Sequence, residues 1–539
     1  MMISPGLKKV MPFTKDRARL LFLWVACLSA FLGSVFLLIW FLPGAIPSGN
    51  TSGVWSALAH DFANGILYRP VFSEYGYGGT RYMPLFFVLH GVLIFLFHDP
   101  VVTGFFLTLL SAAFLDAAVY ALLRTLGIKP EVAAPFAVLA HASISFQLIT
   151  LEIRCDFLAA ALNVWGIVCA LKHERDSAES TLIFSSLAFA GAVLTKFTAV
   201  GGLATIIIYF ILKKRKISAA KLSLYTIALV GIAISWVYLV SSGNVLEAFK
   251  ACAAGGINFA YGIRSPIWFA AATVQDPFFL VILIFALFLA AKGDRTRRNT
   301  FPYLYFCVTL ITTMGVFASP GTDRNHLIDL LIASVLILGF QFARTTRYDR
   351  AFKWVFGIIS ILILLSWLPF IPSIKDHVAR VGKPTRKTVE YIKNRLGTHT
   401  ENILSENPLL PILFGQHPIV LDCFSLRLLA QKSPAILEGF TKEVETQFFG
   451  AVILLDWSGA PLDRLEDAME KHGSLGVDRF YGEVHFQPGF LRLLKKHYYL
   501  SFVKRPYVIY EPVHRPKERK QALVERSKYP NSTAGMPGS

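Results

Sequence analysis

Long apolar segments alternate with short charged ones from Leu20 to Ile371, and their lengths predict helices that cross a bilayer. Leu20 to Pro43 and Val101 to Leu123 carry few or no charges over roughly 20 residues, enough to span a hydrocarbon core of roughly 30 Å. Further spans are predicted over 131–150, 156–171, 181–195, 197–212, 218–241, 277–292, 301–318, 326–343 and 354–371, about eleven in all. The pattern changes after Ile374. Short strand-like runs at Asn402 to Ser405, Pro418 to Leu421 and Ala451 to Leu455 stand between helical or turn-rich stretches, which predicts a small α/β domain.

Lys8, Lys9, Lys15, Arg17 and Arg19 precede the first apolar segment in the manner of a signal peptide. Its run exceeds the roughly 7–15 residues of a signal core and no small-residue cleavage pattern follows, so it is read as a retained anchor with the N-terminus in the cytoplasm. Later basic clusters recur at one end of alternate spans: Arg124 and Lys129; Lys172 and Arg175; Lys213 to Lys216; Lys292 to Arg298; Arg344 to Lys353. Basic excess in short loops marks the cytoplasmic side. The parity holds only if Met83 to Phe97, which is short and contains His90, is a half-buried helix within one long outer loop, 44–100. The organisation is then a helical polytopic membrane domain over 1–372, an extracytoplasmic α/β domain over 373–512 and a polar tail over 513–539 with the composition of disorder.

Composition agrees with this pattern: 54% of residues are hydrophobic and only 16% charged, which excludes an ordinary soluble domain. The net charge of +18 is accounted for by topology, so nucleic acid is not an expected partner. Six cysteines show no Cys-x-x-Cys pair or metal-ligand spacing. A disulfide among Cys155, Cys252 and Cys423 is possible on topology alone.

The topology places Asp61, Asp156 and Lys196 on one face of the membrane. Trp55, Leu58, Ala59, Phe62 and Ile66 form a helical face with Asp61 beside it and Asn64-Gly65 as a stop, an amphipathic helix suited to the interface. Glu74, Tyr75, Arg81 and Tyr82 follow in a glycine-bearing loop. Aromatic rings stack on sugar faces and guanidinium binds phosphate in two-pronged fashion, although an interfacial aromatic belt accounts for the same residues. Leu151-Glu152-Ile153-Arg154-Cys155-Asp156 opens a later span, where Asp156 is either a helix cap partnered by Arg154 or a functional acid. Thr195-Lys196 interrupts the apolar stretch from Thr181 to Leu212, and Lys196 either snorkels or binds phosphate. Arg264, with Tyr261 and Trp268, and Arg324 with His326 are secondary candidates for lipid phosphate or acceptor. Asp116, His90 and His141 lie within apolar runs, where structural roles account for them.

These elements in this order resemble the GT-C superfamily of membrane glycosyltransferases, which includes protein O-mannosyltransferases, the lipid A aminoarabinose transferase and bacterial oligosaccharyltransferase. The resemblance rests on Asp61 in a long first outer loop, on Arg154-Cys155-Asp156 opening a helix, on Thr195-Lys196 between apolar runs, and on Arg81-Tyr82-Met83-Pro84 closing the loop. It covers roughly 15–345. The chain departs from the family in having one proline, Pro84, where two are common, and His60-Asp61 in place of an acidic pair.

The resemblance implies inverting transfer of a sugar from a polyprenyl-phosphate donor to a lipid, glycan or protein acceptor on the extracytoplasmic face of a bacterial inner membrane. Asp61 and Asp156 would be catalytic, with Asp61 the base. Lys196, Arg154, Arg81, Arg264 and Arg324 would contact donor phosphate, and Tyr75, Tyr82, Glu74 and His326 the acceptor or sugar. No cofactor is required by the pattern; a divalent Mg or Mn ion on Asp61 and Asp156 is the metal the family would allow. A multi-pass transporter or lipid flippase would share the helices and the buried charges. The long loop and the outer α/β domain favour the enzyme.

Overall fold

The computed structural model describes residues 15–47, 49–252, 259–292, 300–319, 322–344, 361, 384–397, 400–456, 460–471, 486–487 and 489–513. Helices dominate. Up to Arg344 they are α1 (Lys15–Phe41), α2 (Asn50–Ala63), α3 (Pro84–Phe97), α4 (Pro100–Thr125), α5 (Pro130–Ala137), α6 (Ile144–Thr150), α7 (Asp156–Asp176), α8 (Glu179–Thr195), α9 (Gly201–Leu212), α10 (Lys216–Val240), α11 (Asn244–Cys252), α12 (Phe259–Val274), α13 (Pro277–Lys292), α14 (Phe301–Val316) and α15 (Ile328–Arg344), and shorter helices follow in the C-terminal region. Among the described residues, α4 and α10 are each long and apolar enough to cross a bilayer, as are Leu23–Phe41 of α1 and Arg324–Arg344 through α15. Leu224, Ile227, Ile232, Trp236 and Leu239 of α10 remain exposed, a surface suited to lipid. The protein is an integral membrane protein.

Local sequence explains most helix ends. Asp99 caps α4, its carboxylate accepting from the Val101 and Val102 amides at 3.0 Å, and Pro100 fills the first turn where no amide is needed. The predicted span 131–150 is broken: Pro135 lies inside α5, Ser143 caps α6, and the two arms bend by 77°. The buried Asp276 carboxylate holds that corner, accepting from the Ser143 hydroxyl at 2.5 Å and the Ser145 amide at 2.8 Å. The segment carrying Tyr261, Arg264 and Trp268 is helix α12, which turns by 118° into α13. The predicted span 354–371 lies outside the described residues, apart from residue 361.

Strands β1 (Phe72–Ser73) and β2 (Gly76–Tyr77) form a hairpin in the loop between α2 and α3. Strands β3 (Ile403–Ser405), β4 (Ala451–Leu455), β5 (Tyr498–Lys504) and β6 (Tyr507–Pro512) make a sheet in the order β3-β4-β6-β5, parallel between β3 and β4 and antiparallel elsewhere. β4 is buried throughout, as its unbroken apolar run requires. The predicted strand at Pro418 to Leu421 does not join this sheet. Its Val420 bridges instead to Tyr77 of the hairpin.

The long first loop and the sheet share one core. Val54, Trp55 and Leu58 of α2 pack with Phe86 and Phe87 of α3, with Ile403 and Leu409, and with Ile453 and Ile509 of the sheet. Helix α2 is therefore buried on most of its faces. Gly53 permits the approach: a Cβ there would sit 2.2 Å from Asn407 Oδ1 and 2.7 Å from Pro408 Cδ. Gly76 likewise faces the Ile419 carbonyl with φ of +98°, a conformation and a gap only glycine fits.

Candidate active site

The turn between α6 and α7 brings Glu152, Arg154 and Asp156 together, with the Arg154 side chain between the two carboxylates. Backbone bonds fix it. The Ile153 amide donates to the Ser52 hydroxyl of α2 at 3.1 Å, and the Arg154 amide to Thr108 of α4 at 3.3 Å. Arg154 then donates from Nη1 to Glu152 at 2.9 Å and from Nε to Asp156 at 3.1 Å.

Asp156 is the hub. Its other oxygen accepts from Lys196 Nζ at 2.6 Å and from Asn325 Nδ2 at 2.7 Å. Lys196 occupies the predicted break between α8 and α9, with an extended backbone, and Asn325 lies in the short 3-10 turn before α15. Three separate elements thus converge on a carboxylate that is 3% exposed. Cys155, not Asp156, is the helix-capping position, and Lys196 turns inward with a side chain 16% exposed. Neither the simple cap nor the snorkelling lysine describes what these side chains touch.

A small polar cavity adjoins the hub, lined by Lys196, Thr198, Gly201, Thr312, Thr313, His326 and Asp329. Arg81 lies within electrostatic range of His326, as do Lys196, Asp156 and Arg154. The Arg81 guanidinium stacks 4.4 Å from the Phe424 ring, and Tyr82 packs 4.5 Å from Trp55 while lying in electrostatic range of Arg154 and Asp422. The end of the first loop and the C-terminal region thus lie within electrostatic range of the hub. Arg324 is half-buried beside Asn325, 3.9 Å from Asp323.

The remaining candidates lie elsewhere. Asp61 sits near the far end of α2, about 16 Å along the helix from Asn50, whereas the helix start adjoins Glu152. Both its oxygens are held by Arg69, at 2.5 and 2.6 Å, with the two side chains almost fully buried. Arg69 also donates to the Pro418 carbonyl at 2.6 Å. Glu74 and Tyr75 are exposed at the tip of the β1–β2 hairpin. Arg264 is exposed on α12 and enters none of the hub's ion pairs, while Trp268 belongs to the helical core.

Glu152 is the residue to which the pattern reading assigned no role. Its side chain is 34% exposed, the most open carboxylate of the hub's ion pairs. Loss of water around it pushes its carboxyl above the usual carboxylate range, an effect that Arg154 partly opposes and Asp323 and Asp156 reinforce. The available signal was the clustering of Glu152, Arg154 and Asp156 within five residues at the end of an apolar run. Asn50, at the start of α2, is buried with an Oδ1 that has no partner among the described residues.

A divalent ion on Asp61 and Asp156 does not fit. Asp156 already faces two cations, Arg154 and Lys196, and Asp61 lies outside the hub. His60, Asp61 and His417 do stand together, with ligand atoms within 4.8 Å of one another. Burial holds His60 below its ordinary value; Asp61 works against this, while His417 and Arg69 add to it. Asp116 bonds to His141 at 2.9 Å and not to Arg124, and His141 also reaches Ser34 at 3.2 Å. Cys155 and Cys423 are free, so the disulfide between those two is not formed; the Cys252 side chain lies outside the described residues.

No protein-family model matches the sequence, and a search of curated proteins gives no significant match. Solved structures do match in three dimensions. ArnT from Cupriavidus metallidurans bound to undecaprenyl phosphate aligns with a TM-score of 0.56 at 14% identity, over 93% of this chain and 99% of that one. The oligosaccharyltransferase AglB from Archaeoglobus fulgidus, in complex with an inhibitory peptide and a dolichol-phosphate, gives 0.53 at 11% identity, over 93% and 75%. The apo form of the Archaeoglobus fulgidus oligosaccharyltransferase gives 0.53 at 12% identity, over 92% and 74%. Such identities speak for the fold, and the chain has the fold of the GT-C membrane glycosyltransferases.

Proposed function

We propose that this protein is an integral-membrane glycosyltransferase that moves a sugar from a polyprenyl-phosphate donor to an acceptor hydroxyl. The observation that carries this reading is the hub: Glu152, Arg154, Asp156 and Lys196 joined by ion pairs beside a polar cavity. The solved relatives of this fold that hold undecaprenyl phosphate or dolichol-phosphate support the donor class. The acceptor is a lipid, a glycan or a protein.

In this mechanism Lys196 and Arg154 neutralise the donor phosphate, with Arg81 and His326 beside them. Asp156 uses one oxygen for Lys196 and the other for Arg154, which aims both cations at one point. The acceptor oxygen attacks the anomeric carbon, its proton passes to a carboxylate, and the carbon–phosphate oxygen bond breaks with inversion. Charge then grows on the departing polyprenyl phosphate, where fixed cations lower the barrier. Glu152 is the base. Its raised pKa and partial exposure suit proton uptake, whereas both oxygens of Asp61 are engaged by a guanidinium.

The basic-loop parity supports about eleven spans, a cytoplasmic N-terminus and an extracytoplasmic sheet region in a bacterial inner membrane. The cavity then opens toward the outer leaflet. The test supplies polyprenyl-phosphate sugars to membranes carrying wild type, Glu152→Gln or Asp61→Asn. Donor-dependent transfer should fall by about 10²–10⁴-fold with Glu152→Gln. Full activity in that variant removes Glu152 as base, and solute uptake without any sugar transfer replaces the enzyme with a transporter.

A further inference from the structure

His60, Asp61 and His417 form a cluster outside the hub, at the seam between the first loop and the C-terminal region. His60 and Asp61 come from the last turn of α2, and His417 from the segment leading to the hairpin contact. The imidazole rings of His60 and His417 are 5.7 Å apart between centroids. Asp61 is buried, His60 half-buried and His417 exposed, so the group faces water from one side.

The seam holds these ligands in place. Arg69 bonds both oxygens of Asp61 and the carbonyl of Pro418, the residue after His417. Tyr77 then donates its amide to Ile419 at 2.7 Å and accepts from the Leu421 amide at 2.9 Å. Asn64 donates to the His60 carbonyl at 2.8 Å and lies 3.4 Å from the imidazole. Hydrogen bonds such as those from Arg69 to the Asp61 carboxylate orient a ligating carboxylate for a metal.

We propose that His60, Asp61 and His417 bind a zinc ion that clasps the first loop to the C-terminal region. Two imidazole nitrogens and one carboxylate oxygen suit Zn2+, whereas Mg2+ and Mn2+ favour all-oxygen sets. Metal–ligand bonds of about 2.0–2.2 Å place tetrahedral ligands roughly 3.4 Å apart. Ligand atoms already within 4.8 Å reach that spacing by small side-chain rotations. Water fills the fourth position from the exposed His417 side. Arg69 remains on Asp61 as the outer partner of the ligating carboxylate. The site is separate from the hub and stands whether or not the hub transfers sugar.

The experiment uses the full chain in detergent, stripped with a chelator and titrated with ZnCl2, reading bound zinc per chain and the Tm. Wild type should hold close to one zinc and melt at a higher temperature with it. His60→Ala and His417→Ala should each weaken binding by at least about 100-fold, since loss of even an outer partner costs about 10–100-fold. His417→Cys, which restores a ligand, should recover most of it, and His98→Asn, remote from the cluster, should bind as wild type does. An unchanged Tm without zinc shows that the variants fold. Zinc well below one per chain in wild type, or undiminished binding in the His60→Ala and His417→Ala double variant, overturns the proposal.

Discussion

The molecule contains two buried carboxylates that the sequence presents as equivalents, and their surroundings differ. Asp61 is closed: one guanidinium takes both oxygens, and the pair is anchored to the Pro418 carbonyl. Asp156 is shared: Lys196, Arg154 and Asn325 divide its two oxygens, and a polar cavity with the half-open Glu152 lies beside it. A closed pair holds two chain segments together. A shared acid sets the direction of several cations at once, which is what a phosphate substrate needs. On the proposed function, burial and charge alone do not separate the architectural acid from the functional one; the number of cations on it and the space next to it do.

Substitutions should break this contrast in a definite order. Glu152→Gln should lower sugar transfer by about 10²–10⁴-fold while leaving the Tm near that of wild type, measured by donor-dependent product formation. Asp61→Asn should do the reverse: a neutral partner leaves the Arg69 charge buried and uncompensated, costing about 3–5 kcal/mol in stability, with transfer per folded molecule retained. Chemical or thermal denaturation against specific activity separates these outcomes, and a Asp61→Asn enzyme that is stable but inactive would restore Asp61 as base. Lys196→Met should reduce turnover by roughly 10²–10³-fold, the scale expected for a fixed donor of charge stabilisation, and Lys196→Arg should recover part of it.

Two smaller effects sharpen the same comparison. Gly53→Ala should cost about 1–3 kcal/mol, because the new methyl meets Asn407 and Pro408, and limited proteolysis should then release the C-terminal region sooner. The acid limb of the rate profile is the finer test. A base works only when deprotonated, and the folded pKa of Glu152 is raised, so transfer should climb as pH rises through a midpoint above the ordinary glutamate value of 4.5. Glu152→Gln should abolish that limb in whatever activity remains.

Much of the helical domain was legible because apolar runs between charged loops have one economical fate in a membrane. The predicted spans 101–123, 156–171 and 301–318 correspond to α4, α7 and α14. Reading 131–150 as one span failed because Pro135 and the Ser143 cap matter only when Asp276, far along the chain, stabilises the corner between them. β3 and β4 were visible as apolar runs; β5 and β6 were not singled out, although Tyr507 to Tyr510 of β6 is an unbroken buried run, and their pairing with β4 and each other is a long-range choice. Pro418 to Leu421 reads as a strand yet pairs with the hairpin at Tyr77, a long-range choice made by shape.

At the candidate site, local pattern was enough to single out Arg154, Asp156 and Lys196, since charges at the ends of apolar helices are costly and therefore few. It could not say which of them meet. Asp61 and Asp156 share a side of the predicted topology, but Asp61 stands about 16 Å along α2 from Asn50, the end of the helix that adjoins Glu152. Membrane character, the helix limits and the set of available charges follow from chain-local physics, namely hydrophobic length and backbone capping. The grouping of Glu152 with Arg154, Asp156, Lys196 and Asn325, and of Asp61 with Arg69, His60 and His417, required the packed molecule, because ion pairs depend on distances that only helix packing sets.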